Sequence, residues 1–180
     1  MSDAATAGRT ALTQGIRRVE ASLNRVLAAL AVLLFATSTA LAFASVVMRY
    51  AFGSSYAIVE ELCRFTIVYA VLLYFGPLIT RNAHLRMTIL TDALKGRAAR
   101  VTDTLMTAVM LLLIGALFYA SIRWEMGLVS MGVTTMSGEM KAWVPSAALP
   151  VGLALGVIYT LFRLVYVLTD DLPDTLGAAA

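Results

Sequence analysis

Apolar residues are gathered into four long stretches that carry almost no charge, and the charged residues lie mainly in the segments between them. A hydrocarbon core about 30 Å thick requires about 20 residues of helix, because each helical residue rises about 1.5 Å. The pattern therefore predicts an all-α integral membrane protein with four transmembrane helices, at about residues 26–48, 61–80, 104–122 and 143–163.

The second of these stretches is the shortest. Its uncharged part, residues 65–80, contains 16 residues and would extend only about 24 Å as a helix. To cross the membrane, this helix must also include the preceding turn, which contains Glu60, Glu61 and Arg64. One charged turn is therefore predicted at a membrane surface or just inside it.

The N-terminal tail, residues 1–25, predicts a helix of a different kind. Its apolar side chains recur every three or four positions, at Leu12, Ile16, Val19 and Leu23, and the spacing continues to Val26 at the start of the first span. That spacing is typical of an amphipathic helix lying on a membrane surface. We therefore predict an N-terminal interfacial helix, a transmembrane domain over residues 26–168 and a short tail over residues 169–180.

The composition excludes a soluble globular protein. Hydrophobic residues make up 60% of the 180 residues and charged residues only 14%, against about 45–50% and about 25% in soluble domains. The mean hydropathy is +0.83. The single cysteine, Cys63, excludes an internal disulfide, and the single histidine, His84, excludes a site built from several imidazoles.

Basic residues are distributed unequally between the two sides of this four-helix arrangement. Ten lie on the side of the termini: Arg9, Arg17, Arg18, Arg25, Arg81, Arg86, Lys95, Arg97, Arg100 and Arg163. Four lie on the opposite side: Arg49, Arg64, Arg123 and Lys141. Because basic loops are retained in the cytoplasm, both termini are predicted to be cytoplasmic. The excess of basic residues, which gives the net charge of +3, is therefore explained by this orientation and by contact with anionic phospholipids. No nucleic-acid binding is predicted.

A cleaved signal peptide is a competing interpretation of the N-terminus. The tail is positive, and Ala42-Phe43-Ala44 is similar to a cleavage site. However, the apolar region of such peptides is about 7–15 residues long, and here residues 26–48 form a 23-residue uncharged run. The length favours a retained transmembrane helix.

Glu60, Glu61 and Arg64 form a charged cluster at the start of the second helix. Arg64 lies one helical turn after both acids, but it cannot serve both of them, so Arg49 is a candidate partner for the other. Ionisable residues in a membrane helix are costly and usually paired or functional. The cluster is therefore either a contact with another subunit or a periplasmic protein, or an interfacial turn that neutralises itself while Arg64 extends toward water.

Two further features have both a functional and a structural interpretation. Arg81 and His84 lie at the inner edge of the second helix, where a histidine could relay protons or bind haem. A second axial histidine for haem is missing, so hydrogen bonding at the inner surface is the favoured interpretation. In the fourth helix, Gly152 and Gly156 have the spacing that lets helices approach closely, either within the chain or at a subunit interface.

The chain lacks the motifs of an enzyme or an autonomous carrier. It has no Walker motif, no glycine-rich loop and no paired catalytic carboxylates. The interiors of the predicted spans contain no acid, no base and no histidine. We therefore predict a partner subunit of a larger membrane assembly, without enzymatic activity and without a cofactor.

Several short motifs follow one another in a distinctive order: VVMRYAF at residues 46–52, EELxRF at 60–65, Gly76, RxxHLRM at 81–87 and WxxxxxxPVG at 143–152. In this order and in a four-span frame, they resemble the small, DctQ-type membrane subunit of tripartite ATP-independent periplasmic (TRAP) transporters. One departure is that the family pattern would place a tryptophan shortly before the acidic pair. Here residues 57–59 are Ala, Ile and Val, and Tyr56 is the neighbouring aromatic residue.

The resemblance implies import of an organic acid across the bacterial inner membrane, driven by a sodium gradient. It implies a large membrane subunit that carries the solute and ion sites, and a periplasmic binding protein that delivers the solute. The small subunit would pack against the large one and stabilise it. The residues that match the family motifs, and for which it implies a role in assembly or orientation, are Arg49, Glu60, Glu61, Arg64, Arg81 and His84.

Two other classes of protein remain open from the residues alone. A small four-helix exporter would usually need a carboxylate in its first span, where this chain has none, and would show little bias in its basic residues. A membrane anchor of a respiratory enzyme would need haem ligands or a quinone site. The single histidine argues against haem but leaves a haem-free anchor as an alternative.

Overall fold

In the computed structural model, the described residues are 2–80 and 97–169, with side chains described for 14–79 and 101–167. They form five helices: α1 (Ser2–Ala51), α2 (Ala57–Thr80), α3 (Arg97–Met131), α4 (Trp143–Ser146) and α5 (Ala148–Thr169). Outside the helices, Thr134 and Lys141 form an isolated β-bridge. We call the end of the molecule that contains residues 52–56 and 132–142 the loop end, and the opposite end the tail end.

The prediction of an all-helical protein with four membrane-spanning helices is confirmed. By length and composition, the candidate spans are Gln14–Ala51, Ala57–Ile79, Val101–Met131 and Trp143–Val167. The third helix runs past the predicted end at residue 122, because charged side chains do not break a helix. It ends where Gly132 adopts a left-handed φ of 63°, a conformation that favours glycine and commonly terminates helices.

The first helix is longer than a membrane requires. Its 50 residues are continuous from Ser2 to Ala51 and correspond to about 75 Å of helix, against a hydrocarbon core of about 30 Å. The predicted boundary at residue 25 has no counterpart in the backbone. A separate amphipathic helix on the inner membrane surface therefore stays a prediction.

The four long helices are arranged in a row. α2 packs between α1 and α5, and α5 packs between α2 and α3, so that α1 and α3 form the two edges. A small core of Leu27, Ile79, Ile114 and Tyr159 lies where these helices meet. The edges carry strongly exposed apolar side chains, such as Phe43 on α1 (71% exposed) and Leu112 on α3 (70%). Exposed apolar surface of this kind suits contact with lipid or with another membrane protein.

Candidate functional site

The turn between α1 and α2 brings together two residues of the predicted charged cluster. Gly53, with a φ of 64°, lets the chain reverse direction within a few residues of the end of α1. Arg49, in the last turn of α1, then forms an ion pair with Glu60 in the first turn of α2. The same guanidinium donates a hydrogen bond to the Ser55 hydroxyl at 3.4 Å. Arg49 therefore connects both helices and the turn between them.

Arg64 joins the same acid more loosely. Its guanidinium lies 3.8 Å from the other carboxylate oxygen of Glu60, and its side chain is 72% exposed. Glu60 thus lies between two arginines. A surface groove of about 370 Å³ beside them is lined by these three residues together with Tyr50 and Cys63. With two cations and one anion, this groove is suited to an acidic group.

Glu61 has a different partner from the one that the sequence suggested. Its side chain is buried, and its two carboxylate oxygens accept hydrogen bonds from the amide and the hydroxyl of Ser137, each at 2.7 Å. The Thr135 hydroxyl lies 3.1 Å from that of Ser137. The sequence predicted that Arg64 would pair with one acid and suggested Arg49 as a partner for the other. In the structure, both arginines contact Glu60 instead. Glu61 therefore ties α2 to the connection between α3 and α4.

That connection is folded upon itself. The Thr135 amide donates to the Met140 carbonyl at 2.7 Å, and the Ala142 amide donates to the Val133 carbonyl at 2.9 Å. These bonds place Ser137 at the tip of a small hairpin, facing α2. Sequence reasoning did not identify Ser137, because nothing in its local pattern marks a partner 76 residues away.

A pair of reciprocal hydrogen bonds joins α1 and α2 nearer their middle. The buried Ser38 hydroxyl donates to the Cys63 carbonyl at 2.8 Å, and the Cys63 thiol donates to the Ser38 carbonyl at 3.3 Å. Polar side chains in a membrane interior are stabilised by such interhelical bonds. Cys63 is therefore engaged in packing these two helices.

Glycines allow the close approach of α2 and α5. A Cβ atom at Gly152 would lie 2.8 Å from the Leu72 Cβ and 3.0 Å from the Leu72 carbonyl oxygen. A Cβ at Gly156 would lie 3.0 Å from the Phe75 ring, and one at Gly76 would lie 2.5 Å from the Tyr159 ring. Gly152 and Gly156 therefore lie at the contact between α2 and α5 of the same chain.

At the tail end, hydrogen bonds hold α1 against α5. The buried Tyr159 hydroxyl donates to the Asn24 side-chain oxygen at 2.6 Å, and the Tyr166 hydroxyl donates to the Glu20 carboxylate at 2.7 Å. Sequence reasoning missed both pairs, because it assigned residues 1–25 to a tail separate from the helices.

Arg163 joins α5 to α2 at the tail end of the molecule. Its guanidinium donates to the Ile79 carbonyl near the C-terminus of α2, at 3.3 Å. A cation at this position also interacts favourably with the negative end of the helix dipole. The remaining predicted site residues, Arg81 and His84, lie outside the described residues.

The described residues do not include a group of three or more His, Cys, Asp or Glu side chains arranged to hold a metal ion. What the site residues share is their position at contacts between helices or between a helix and a loop. The arrangement is therefore suited to holding helices together and to presenting charged groups at the membrane surface.

Comparison with known families gives a match over most of the chain. The family model described as "Tripartite ATP-independent periplasmic transporters, DctQ component" matches residues 38–170, which is most of the chain and includes all four candidate spans in whole or in part. No individual curated protein gives a significant match.

Proposed function

This chain belongs to the DctQ family, the small component of TRAP transporters, and on that premise we propose that it is an accessory subunit that packs against and stabilises the large membrane subunit. The family is a transporter component and not an enzyme family. Membership implies two partners, a large membrane subunit and a periplasmic binding protein. The match over residues 38–170 is the observation that carries this proposal.

The transport reaction that we propose is import of an organic acid coupled to sodium entry. In this division of labour, the binding protein captures the solute and the large subunit carries the solute and ion sites. The row of helices supports an accessory role, because both of its edges leave apolar surface available to a membrane partner. Proposals of a small exporter or a respiratory anchor gain no support from the family match.

We place the chain in the bacterial inner membrane with both termini in the cytoplasm. Ten basic residues on the side of the termini, against four on the side of the loop end, support this orientation. The same basic residues would contact anionic phospholipids. In this orientation, the Arg49–Glu60–Arg64 cluster faces the periplasmic surface.

The predicted site residues have a structural role in this proposal. Arg49, Glu60 and Arg64 would fix the α1–α2 turn, and Glu61 would fix the hairpin that contains Ser137. For Arg81 and His84 we propose a role in orientation at the inner surface. None of them is proposed to bind the solute.

Reconstitution into liposomes tests this function. The chain should co-purify with the large membrane subunit of a TRAP transporter, and uptake of an organic acid under a sodium gradient should require both membrane subunits and the binding protein. The chain alone should transport nothing. Uptake by this chain alone that is abolished by mutating its own residues would show that it is not an accessory subunit.

A further inference from the structure

Glu125 is an acid within the third candidate span, and its carboxyl group has no hydrogen-bond partner among the described residues. It lies on α3, in the part of the helix that continues past the predicted end of the span. Both carboxylate oxygens are buried, and neither has a hydrogen-bond donor among the residues that the structure describes. The Tyr69 hydroxyl on α2 donates its hydrogen bond to the Val144 carbonyl rather than to Glu125.

A groove of about 360 Å³ lies beside this carboxylate, between α3 and the start of α5. Its walls are apolar side chains, among them Ile122, Met126 and Pro150. The other polar group in its lining is the Ser130 hydroxyl, which donates to the Gly127 carbonyl at 2.8 Å and so keeps its oxygen free to accept. The groove therefore offers acceptors, with apolar surface around them.

This combination matches the chemistry of a long basic side chain. Lysine and arginine pack their methylene stems on apolar surface and place their charged head groups next to acceptors. An ionised carboxylate that is removed from water without a donor is costly, and a cationic partner offsets that cost. A volume of about 360 Å³ is well above the share of about 30 Å³ per water molecule, so an ammonium or guanidinium group has room.

The surroundings indicate which molecule supplies the cation. The groove opens on the α3 edge of the row, where Leu105, Leu112, Tyr119 and Met126 recur every seven residues along one face of the helix and are exposed. This apolar strip continues along the helix into the groove, so a transmembrane helix lying along α3 could fill both at once. On the basis of the proposed function, we propose that Glu125 and this groove form the docking site for a lysine or arginine of the large membrane subunit.

The Glu125→Gln variant gives the sharpest test, because it should act in opposite directions on the isolated chain and on the complex. In the isolated chain, the variant replaces a carboxyl group whose oxygens are buried without a donor, so its thermal stability in detergent should stay the same or rise. In the complex, co-purification with the large subunit should fall about ten-fold, which corresponds to about 1.4 kcal/mol. Glu139→Gln, at an exposed acid in the hairpin, is the matched control and should change neither quantity.

Photo-crosslinking provides a second readout that does not depend on stability. A photoreactive amino acid at position 126, where Met126 lines the groove and is 63% exposed, should crosslink to the large subunit. The same probe at position 43, on the opposite edge of the row, is the control and should give a much weaker crosslink. A product at position 126 that contains only phospholipid would identify a lipid ammonium group as the occupant and overturn the proposal.

The outcomes separate this inference from the function on which it rests. If the wild-type chain does not co-purify with the large subunit, the proposed function is wrong and the docking site fails with it. If the wild-type chain co-purifies, and Glu125→Gln does so equally well without a crosslink at position 126, the function stands and the docking site is wrong.

Discussion

Glu61 in α2 accepts two hydrogen bonds from one residue, Ser137, whose amide and hydroxyl both lie 2.7 Å from the carboxylate oxygens. The two residues are 76 positions apart in the sequence, so their contact closes a long loop of chain. Because Ser137 lies in the connection that leads into α4, this contact helps to set where the fourth span begins. The start of α2 is therefore an anchor for the loop end as a whole.

We expect Glu61→Ala to loosen the hairpin while leaving the helices intact. The substitution removes both acceptors of Ser137, so amide hydrogen exchange should become faster in residues 132–142. Glu60→Gln is the neighbouring control, because Glu60 contacts the two arginines and leaves the hairpin bonds unchanged. Hydrogen exchange followed by mass spectrometry measures the difference. Equal protection of the hairpin in Glu61→Ala and the wild-type chain would contradict this role.

Gly152 and Gly115 should respond in opposite directions to the same substitution. A Cβ at Gly152 would meet the Leu72 backbone and side chain at 2.8–3.0 Å, so Gly152→Ala should destabilise the chain by about 1–3 kcal/mol. A Cβ at Gly115 in α3 meets no described atom within 4 Å, and alanine is the better helix former by about 0.5–1 kcal/mol. Thermal unfolding in detergent should therefore show a lower midpoint for the first variant and an equal or higher midpoint for the second.

An unchanged midpoint for Gly152→Ala would mean that α5 can move away from α2 without loss, and that the two helices are held mainly by other contacts.

The four spans could be predicted from the sequence because membrane thickness fixes the length of an apolar helix. The order of helices in the row could not, because side chains of a membrane helix are apolar both toward lipid and toward its neighbours. Gly152 and Gly156 illustrate the difference: their spacing predicts a close contact, but only the structure identifies Leu72 and Phe75 as the neighbours.

The charged residues show a second limit of sequence reasoning. The sequence predicts an end of the third span at residue 122 because Arg123 follows, although the helix continues to Met131, just before the left-handed Gly132. That boundary leaves Glu125 outside the predicted span. Likewise, the sequence predicts arginine partners close in the chain for the acidic pair, whereas the partner of Glu61 is Ser137, which tertiary packing brings close.

The N-terminal part of α1 should depend on two tyrosines of α5. Tyr159 and Tyr166 donate hydrogen bonds to Asn24 and Glu20, and interhelical bonds of this kind contribute about 0.6 kcal/mol on average in a membrane protein. The double variant Tyr159→Phe with Tyr166→Phe should therefore speed hydrogen exchange in residues 14–27 by a few-fold. Tyr119→Phe, at an exposed position of α3, is the matched control and should have no effect there. Unchanged exchange in the double variant would show that apolar packing alone holds this part of α1.

The proposed orientation predicts opposite behaviour of two reporters fused to the C-terminus. Green fluorescent protein should fluoresce, because it folds in the cytoplasm, and alkaline phosphatase should be inactive, because it requires export. A phosphatase inserted in the hairpin of residues 132–142 is the positive control and should be active. An active phosphatase at the C-terminus would reverse the topology inferred from the ten and four basic residues.

Arg49 and Arg64 should contribute unequally to stability, although both contact Glu60. Arg49 forms the closer ion pair and also reaches Ser55, whereas Arg64 is 3.8 Å from the carboxylate and 72% exposed. We expect Arg49→Gln to lower the free energy of unfolding by up to about 1 kcal/mol, the upper end for an exposed ion pair, and Arg64→Gln to have an effect near zero. Double-mutant cycles with Glu60→Gln in thermal unfolding measure the two couplings separately.

The same geometry makes a prediction about rescue. If Arg64 were the partner of Glu61, adding Glu61→Gln to Arg64→Leu would remove the orphaned charge and restore part of any loss. Because the Glu61 carboxylate binds Ser137 instead, the second substitution should weaken the hairpin and leave the double variant no more stable than Arg64→Leu alone. The comparison uses unfolding midpoints of the two variants and of the wild-type chain, with Lys141→Leu as a control for removing an exposed loop cation. A double variant that is clearly more stable than Arg64→Leu would mean that Arg64 and Glu61 are coupled, and that Glu60 does not account for the charge of Arg64.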